Sequence, residues 1–215
     1  MRKQITLAIL ALTAIFMPLI AKGQSINFSE DEKELLRQRV RQKVEEFGNA
    51  LSRMVDTEQT HEVRMAHQKN LLNLFIGKGD PYDIEEGDGE TKHSTGVKMM
   101  TSSVNSGHVS SSLLRSYIKK LYDPELRRSR LSYSKIRIET ADAVRVDNIH
   151  KEGDHYVCIA YFYQNFYGIK DGRVIYKDRT CKRIKCYITP IRISDNDIVF
   201  DAKLADISVV STERL

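Results

Sequence analysis

The sequence predicts an α+β protein, with amphipathic helices in its N-terminal half packed on one face of an antiparallel sheet built from its C-terminal half. Three observations carry this. Between residues 29 and 122 apolar residues recur at three- and four-residue steps, the period of a helix with one buried face. From about residue 133 to 210 they recur at every second position between short turn signals, the period of strands. Helical runs come first and strand runs follow, which gives an α+β order with the helices on one side.

Residues 1–23 stand apart from that domain. Arg2 and Lys3 precede an apolar run from Ile5 to Ala21, and Ala21-Lys22-Gly23 places small residues before Gln24. This is the grammar of a secretory signal peptide, so export to the periplasm or the medium is expected, with residues 24–215 as the mature chain. The run contains Pro18 and is shorter than the roughly 20 apolar residues a membrane span needs. Loss of Arg2, Lys3 and Lys22 lowers the formal charge from +5 to +2. That charge gives no support to nucleic-acid binding, which needs a strongly basic, clustered face. The mature length suits a single domain with one core.

Ser29-Glu30-Asp31-Glu32 reads as a capping box, in which serine and glutamate satisfy free N–H groups at a helix start. Leu36, Val40, Val44, Phe47, Leu51 and Met54 then form the core stripe of a long helix. A second helix is predicted over Thr60–Phe75, with Val63, His67, Leu71, Leu74 and Phe75 on one face and Gly77 and Gly79 stopping it. The stretch GKGDPYDIEEGDGE reads as a solvated, flexible acidic loop within 77–95, because its acids lack the ligand spacing of a calcium-binding loop. Val97–Ser103 suits a short strand. Leu113, Leu114, Tyr117, Ile118 and Leu121 make a third helix that ends at Asp123-Pro124.

Four strands should follow as a meander. Ile136 and Ile138 alternate with charged residues, as do Val144 and Val146. A turn at Lys151–Asp154 leads into the strand YVCIAYFYQNFYG. Lys170-Asp171-Gly172 is a hairpin turn, with Asp-Gly supplying positive φ. Ile184, Cys186 and Ile188 alternate with Arg183, Lys185 and Tyr187, and Asp195-Asn196-Asp197 is the last turn before Ile198–Val210.

Alternation divides the aromatic strand into two uncharged faces. Tyr156, Cys158, Ala160, Phe162, Gln164 and Phe166 share one; Val157, Ile159, Tyr161, Tyr163, Asn165 and Tyr167 share the other. Small Cys158 and Ala160 let a helix approach the first. Tyrosine buries area while its hydroxyl needs a partner, which suits interfaces and half-wet clefts as well as ordinary packing. Core, partner face and ligand pocket all stand as readings at this point. Tyr161, Tyr163, Asn165, Tyr167 and Tyr187 are the candidates for contacting a ligand or partner. Phe162, Phe166, Ile184, Ile188 and Asp206 are the candidates for lining a cavity.

The order of elements, with LLNLFIGKGD closing a second helix, LLRSYIKKLYD as a third, YFYQNFYGIKDGRVIYKDRTCKRIKCYI as a long hairpin and FDAKLADISVV as a last strand, resembles the nuclear-transport-factor-2-like superfamily. The cystatin-like proteins, a helix gripped by a sheet, are a related likeness. The resemblance implies a strongly curved antiparallel sheet forming a cone around the helices, and self-association through the outer sheet face as one assembly mode. It also implies a range of roles, from isomerases to dimerisation modules, among which fold alone does not choose. An isomerase of that kind would set an aspartate base opposite a tyrosine; Asp201, Asp206, Tyr163 and Tyr187 are the residues available.

Other chemistry finds little footing. His61 and His67 lie six apart, roughly 240° around a helix, so they cannot share a metal. Cys158 sits among apolar residues where a thiol is ordinarily inert. Cys181 and Cys186 differ by an odd number and face opposite sides of one strand; a bond from Cys158 to either would have to cross between strands. No cofactor and no metal is expected. The leading expectation is a non-catalytic, exported binding or interaction module, possible partners being a second copy, an unidentified protein or a small molecule. The alternatives are a small-molecule binder or isomerase-type enzyme using the cone, and adhesion to an anionic envelope or glycan through Arg127, Arg128, Arg130, Arg183 and Lys185.

Overall fold

The computed structural model describes residues 28–86, 88–105, 107–126, 133–194 and 198–215. The proposed leader, three of the arginines (127, 128 and 130) and the turn at 195–197 lie outside the described residues.

Helix α1, Glu30–Val55, starts at the capping box: Glu32 N–H donates to Ser29 Oγ at 3.2 Å and Ser29 N–H donates to Glu32 Oε2 at 2.8 Å. Acids fill its first turn and Arg53 its last, both favourable to the helix dipole. The expected stripe, Leu36 to Met54, is buried. Helix α2, His61–Asn73, starts at Thr60, and Leu71, Leu74 and Phe75 of the expected face are buried, but its first turns differ. Val63 is exposed, and Arg64 is buried instead. The Arg64 guanidinium donates to the Met54 carbonyl at 2.9 Å and the Tyr122 carbonyl at 3.1 Å, so it satisfies acceptors at the ends of two other helices.

The acidic stretch is not a plain loop. After a 3-10 turn at Ile76–Gly79, strands β1 (Tyr82–Glu85) and β2 (Thr91–Ser94) pair antiparallel. Ile84 anchors this hairpin on the sheet against Val157, Tyr187 and Ala205. Its charges pair outward, Lys92 with Glu86 and His93 with Asp83. Two apolar residues, Tyr82 and Ile84, set among acids are too short a signal to read as a strand.

The other strands form one sheet: β3 (Lys98–Ser102), β4 (Val109–Leu113), β5 (Lys135–Val146), β6 (His150–Glu152), β7 (His155–Lys170), β8 (Arg173–Arg192) and β9 (Ile198–Arg214). Its order is β4-β3-β9-β8-β7-β5, with β6 also paired to β7. The expected antiparallel sheet is therefore corrected to a mixed one, because β3 lies parallel beside β9 with Met99 opposite Ile207. Helix α3, Leu114–Tyr122, falls between β4 and β5, which occupy opposite edges, so strands precede the third helix as well as follow it. The sheet is not strongly curled, unlike the expected cone. The β7–β8 turn has positive φ at Asp171 (50°) and Gly172 (75°), as Asp-Gly hairpins require.

One face of the sheet carries the core. Ile136, Ile138, Cys158, Ala160, Phe162, Ile184, Cys186, Ile188, Leu204 and Ile207 pack against the α1 stripe. Gly48 marks the closest approach of α1 to β5. A methyl group there would collide with the Thr140 hydroxyl and lie 2.9 Å from Thr140 Cβ. Alanine in a helix is ordinarily better than glycine by about 1 kcal/mol. Gly48→Ala should instead destabilise by about 1–3 kcal/mol through overpacking, and adding Thr140→Ala should recover part of the loss. Urea denaturation of the three variants checks the order.

Candidate functional site

The long β7–β8 hairpin presents two distinct surfaces. On the side away from the helices, Tyr161, Tyr163 and Tyr167 are half-buried, and each lies under a guanidinium: Arg145 at 4.5 Å, Arg179 at 4.4 Å and Arg137 at 4.2 Å from the ring centroids. The register causes this, since Arg145 stands opposite Tyr161 and Arg137 opposite Tyr167 on β5, while Arg179 reaches across from β8. A cation over an aromatic face is attracted to the ring quadrupole, and the stack holds both groups flat. Each guanidinium also meets a carboxylate: Arg137 with Glu139 at 3.1 Å, Arg145 with Asp147 at 3.7 Å, and Arg179 with Asp142. These three stacked arginines are thus charge-paired, while Arg183 and Lys177 stand opposite Tyr161 and Tyr167 on β8. Asn165 lies within this face, half-buried, and its buried Oδ1 has no hydrogen-bond partner among the described residues.

Tyr187, expected on the same surface, is buried where β1 and β2 cover the sheet, its ring edge-on to His155 at 5.1 Å. Burial pushes its hydroxyl up to about 12. Beside it opens a cleft of about 240 Å3 lined by Asp83, Glu85, Asp154, His155 and Lys203. A larger cleft of about 690 Å3 sits near the β7–β8 turn, lined by Arg137, Tyr167, Tyr176, Lys177 and Arg214.

The cavity candidates fall elsewhere. Phe162, Ile184 and Ile188 are fully buried core, and Phe166 meets the Tyr133 ring at a tilt and the Tyr176 ring edge-on. Asp206 accepts the Lys98 backbone N–H at 2.8 Å and so ties β9 to the edge of β3. None of these five residues lines either cleft.

The helix-facing side of β8 holds a group that the alternating pattern contains but that was not singled out. Asp178, Thr180 and Lys182 continue the inward series of Ile184, Cys186 and Ile188, and all three are buried. Lys182 lies with its ammonium 5.9 Å from the Tyr117 ring of α3. Burial lowers its pKa to about 7, against a smaller upward pull from Asp178. Burial raises Asp178, opposed by its hydrogen bond with the Tyr176 hydroxyl. That hydroxyl also lies 3.0 Å from Ser103 Oγ, accepts the Val104 N–H at 3.2 Å, and is pushed up to about 12, chiefly by burial. Tyr117 is likewise raised to about 12 by burial, while a hydrogen bond with Gln164 opposes the rise. Gln164 Oε1 is buried without a hydrogen-bond partner among the described residues. Isolated charged groups are costly in such surroundings and shift toward neutrality.

Among the described residues, no group of three or more His, Cys, Asp and Glu side chains is placed to hold a metal ion. No helix among them is long and apolar enough to cross a membrane. Comparison of the chain with known family models, with curated proteins and with solved structures returns no match.

Proposed function

We propose that this chain is an exported, non-catalytic interaction module that pairs with a second copy of itself through the outer face of the β5–β7–β8 sheet. The observation carrying the reading is the row of three half-buried tyrosines, each flattened under an arginine whose charge is met by a carboxylate. Tyrosine and arginine are the residues that interface centres favour. Interspersed charges of both signs suit a surface that meets its own twofold image, since each cation can find an anion across the axis. The proposed kinship with the nuclear-transport-factor-2-like proteins rests on the order of helices and the long hairpin. The proposed export rests on the leader grammar of residues 1–23.

Sedimentation equilibrium of the mature chain should show a dimer at micromolar concentration. Tyr163→Glu should convert it to a monomer with an unchanged circular dichroism spectrum, a loss of about 2 kcal/mol or more in association free energy. A wild-type protein that stays monomeric at the highest soluble concentration would rule the reading out.

A second reading is favoured by the interior polar group. The unpartnered Gln164 Oε1 beside Tyr117, near Lys182, suits a small hydrogen-bond donor held between α3 and the sheet. Ligand-observed NMR with small polar solutes, repeated on Gln164→Leu, tests it; binding unaffected by the substitution would exclude this site.

A further inference from the structure

We propose that Cys158 and Cys186 are a disulfide-forming pair, closed by exchange with a protein or small-molecule disulfide before the β7–β8 hairpin seats on α1. The two residues stand directly opposite each other in the antiparallel register of β7 and β8. Directly opposed residues project to the same face, and their Cα atoms lie about 4.5 or 5.5 Å apart, depending on the ladder position. Both distances fall inside the range of about 4.4–6.8 Å that a disulfide spans. All three cysteines are free thiols in the structure. The Cys186 thiol donates to the Ile184 carbonyl at 3.8 Å, and the Cys158 thiol beside it, together with burial, raises its pKa well above the ordinary value.

Cys181 is excluded by the same geometry. It stands opposite Tyr163 on the outer face and is half-buried, whereas the pair is completely buried in the core. It therefore serves as an internal control.

Burial sets when the bond can form. No oxidant reaches two fully covered sulfurs, so exchange precedes packing of the hairpin or follows its local opening. The thiolate of Cys158 attacks one sulfur of the incoming disulfide and expels the first carrier thiol. Cys186 then loses its proton, attacks the Cys158 sulfur of the mixed disulfide and expels the second. The two cysteines together give up two protons and two electrons, and the carrier disulfide becomes two thiols. Cross-strand Cβ atoms sit about 4.5–5.5 Å apart, slightly wider than the roughly 3.5–4.5 Å a relaxed disulfide prefers. Closure draws the strands together, and the resulting strain makes the bond more easily reduced than an unstrained one.

The test uses the mature chain, refolded with oxidised glutathione, alkylated in denaturant and digested. The expected result is a Cys158–Cys186 linked peptide pair with alkylation at Cys181 alone. In Cys181→Ser, dithiothreitol should lower the melting temperature of the oxidised protein; in Cys158→Ala/Cys186→Ala it should leave it unchanged. Alkylation of all three cysteines after oxidative refolding overturns the proposal, as does a link that includes Cys181. The outcome is independent of whether the outer face self-associates.

Discussion

Between about pH 7 and pH 10 the unfolding free energy is expected to rise with pH, by about 2–4 kcal/mol. The source is Lys182, held near 7 in the folded protein by burial between the sheet and Tyr117. In the unfolded chain its amine titrates at its ordinary value near 10.4. Across this window the unfolded state binds a proton that the folded state has released, and stability climbs as pH removes that advantage. Below pH 7 both states are protonated and the cost of burying the charge is felt in full. Above about pH 10 the tyrosines reverse the trend. Tyr117, Tyr176 and Tyr187 are raised to about 12, so their contribution is complete below pH 10 and is lost as pH climbs toward 12. Lys182→Met keeps the length and removes the titration. Urea denaturation of the reduced protein at unit steps of pH should show the rise in the wild type and no rise in the variant, where the raised Cys186 thiol adds only a fall above about pH 9. A flat wild-type profile would place the amine in water.

Phe47→Ala is expected to cost about 3–5 kcal/mol, the range for deleting a fully buried aromatic ring. Phe47 is completely buried at the centre of α1 and makes edge-on contacts with Phe75 at 5.4 Å and Phe162 at 6.0 Å. Those contacts join three separate parts of the fold: the long helix, the segment after α2, and strand β7. The cavity left by alanine is bordered by two rings that are themselves pinned, so little collapse can offset the loss. The melting temperature should drop by about 6–20 °C, at roughly 2–4 °C per kcal/mol for a chain of this size. Phe47→Leu, which retains much of the volume, should cost markedly less.

Local signals made some of this legible. The capping box and stripe of α1 needed no knowledge of the rest of the chain, because a helix satisfies its own backbone and declares its buried face by period. The two faces of β7 were legible for the same reason, as was the Asp171-Gly172 turn. Arg64 was not, because a buried arginine is explained only by the carbonyls it reaches, and Met54 and Tyr122 lie on other elements. The hairpin of β1 and β2 was missed because its hold on the rest of the fold comes from only two apolar side chains of β1, Tyr82 and Ile84, set among acids. Lys182 stood in plain alternation with Ile184, Cys186 and Ile188, yet charge on alternate positions ordinarily marks the solvent side, and the pattern carries no sign of which side is which until the helices are placed.

The chain by itself determined its class, the placement of its longest helix and the division of its aromatic strand into two faces, all of which follow from period, capping and turn chemistry within a few residues. Only the tertiary structure decided that β3 lies parallel to β9, that each outer tyrosine has its own arginine, and that two cysteines 28 positions apart stand face to face. Strand partners are chosen by pairing across long stretches of sequence, where every alternating segment offers similar edges. The choice is made by which combination closes one core over α1, a global condition that no local window contains.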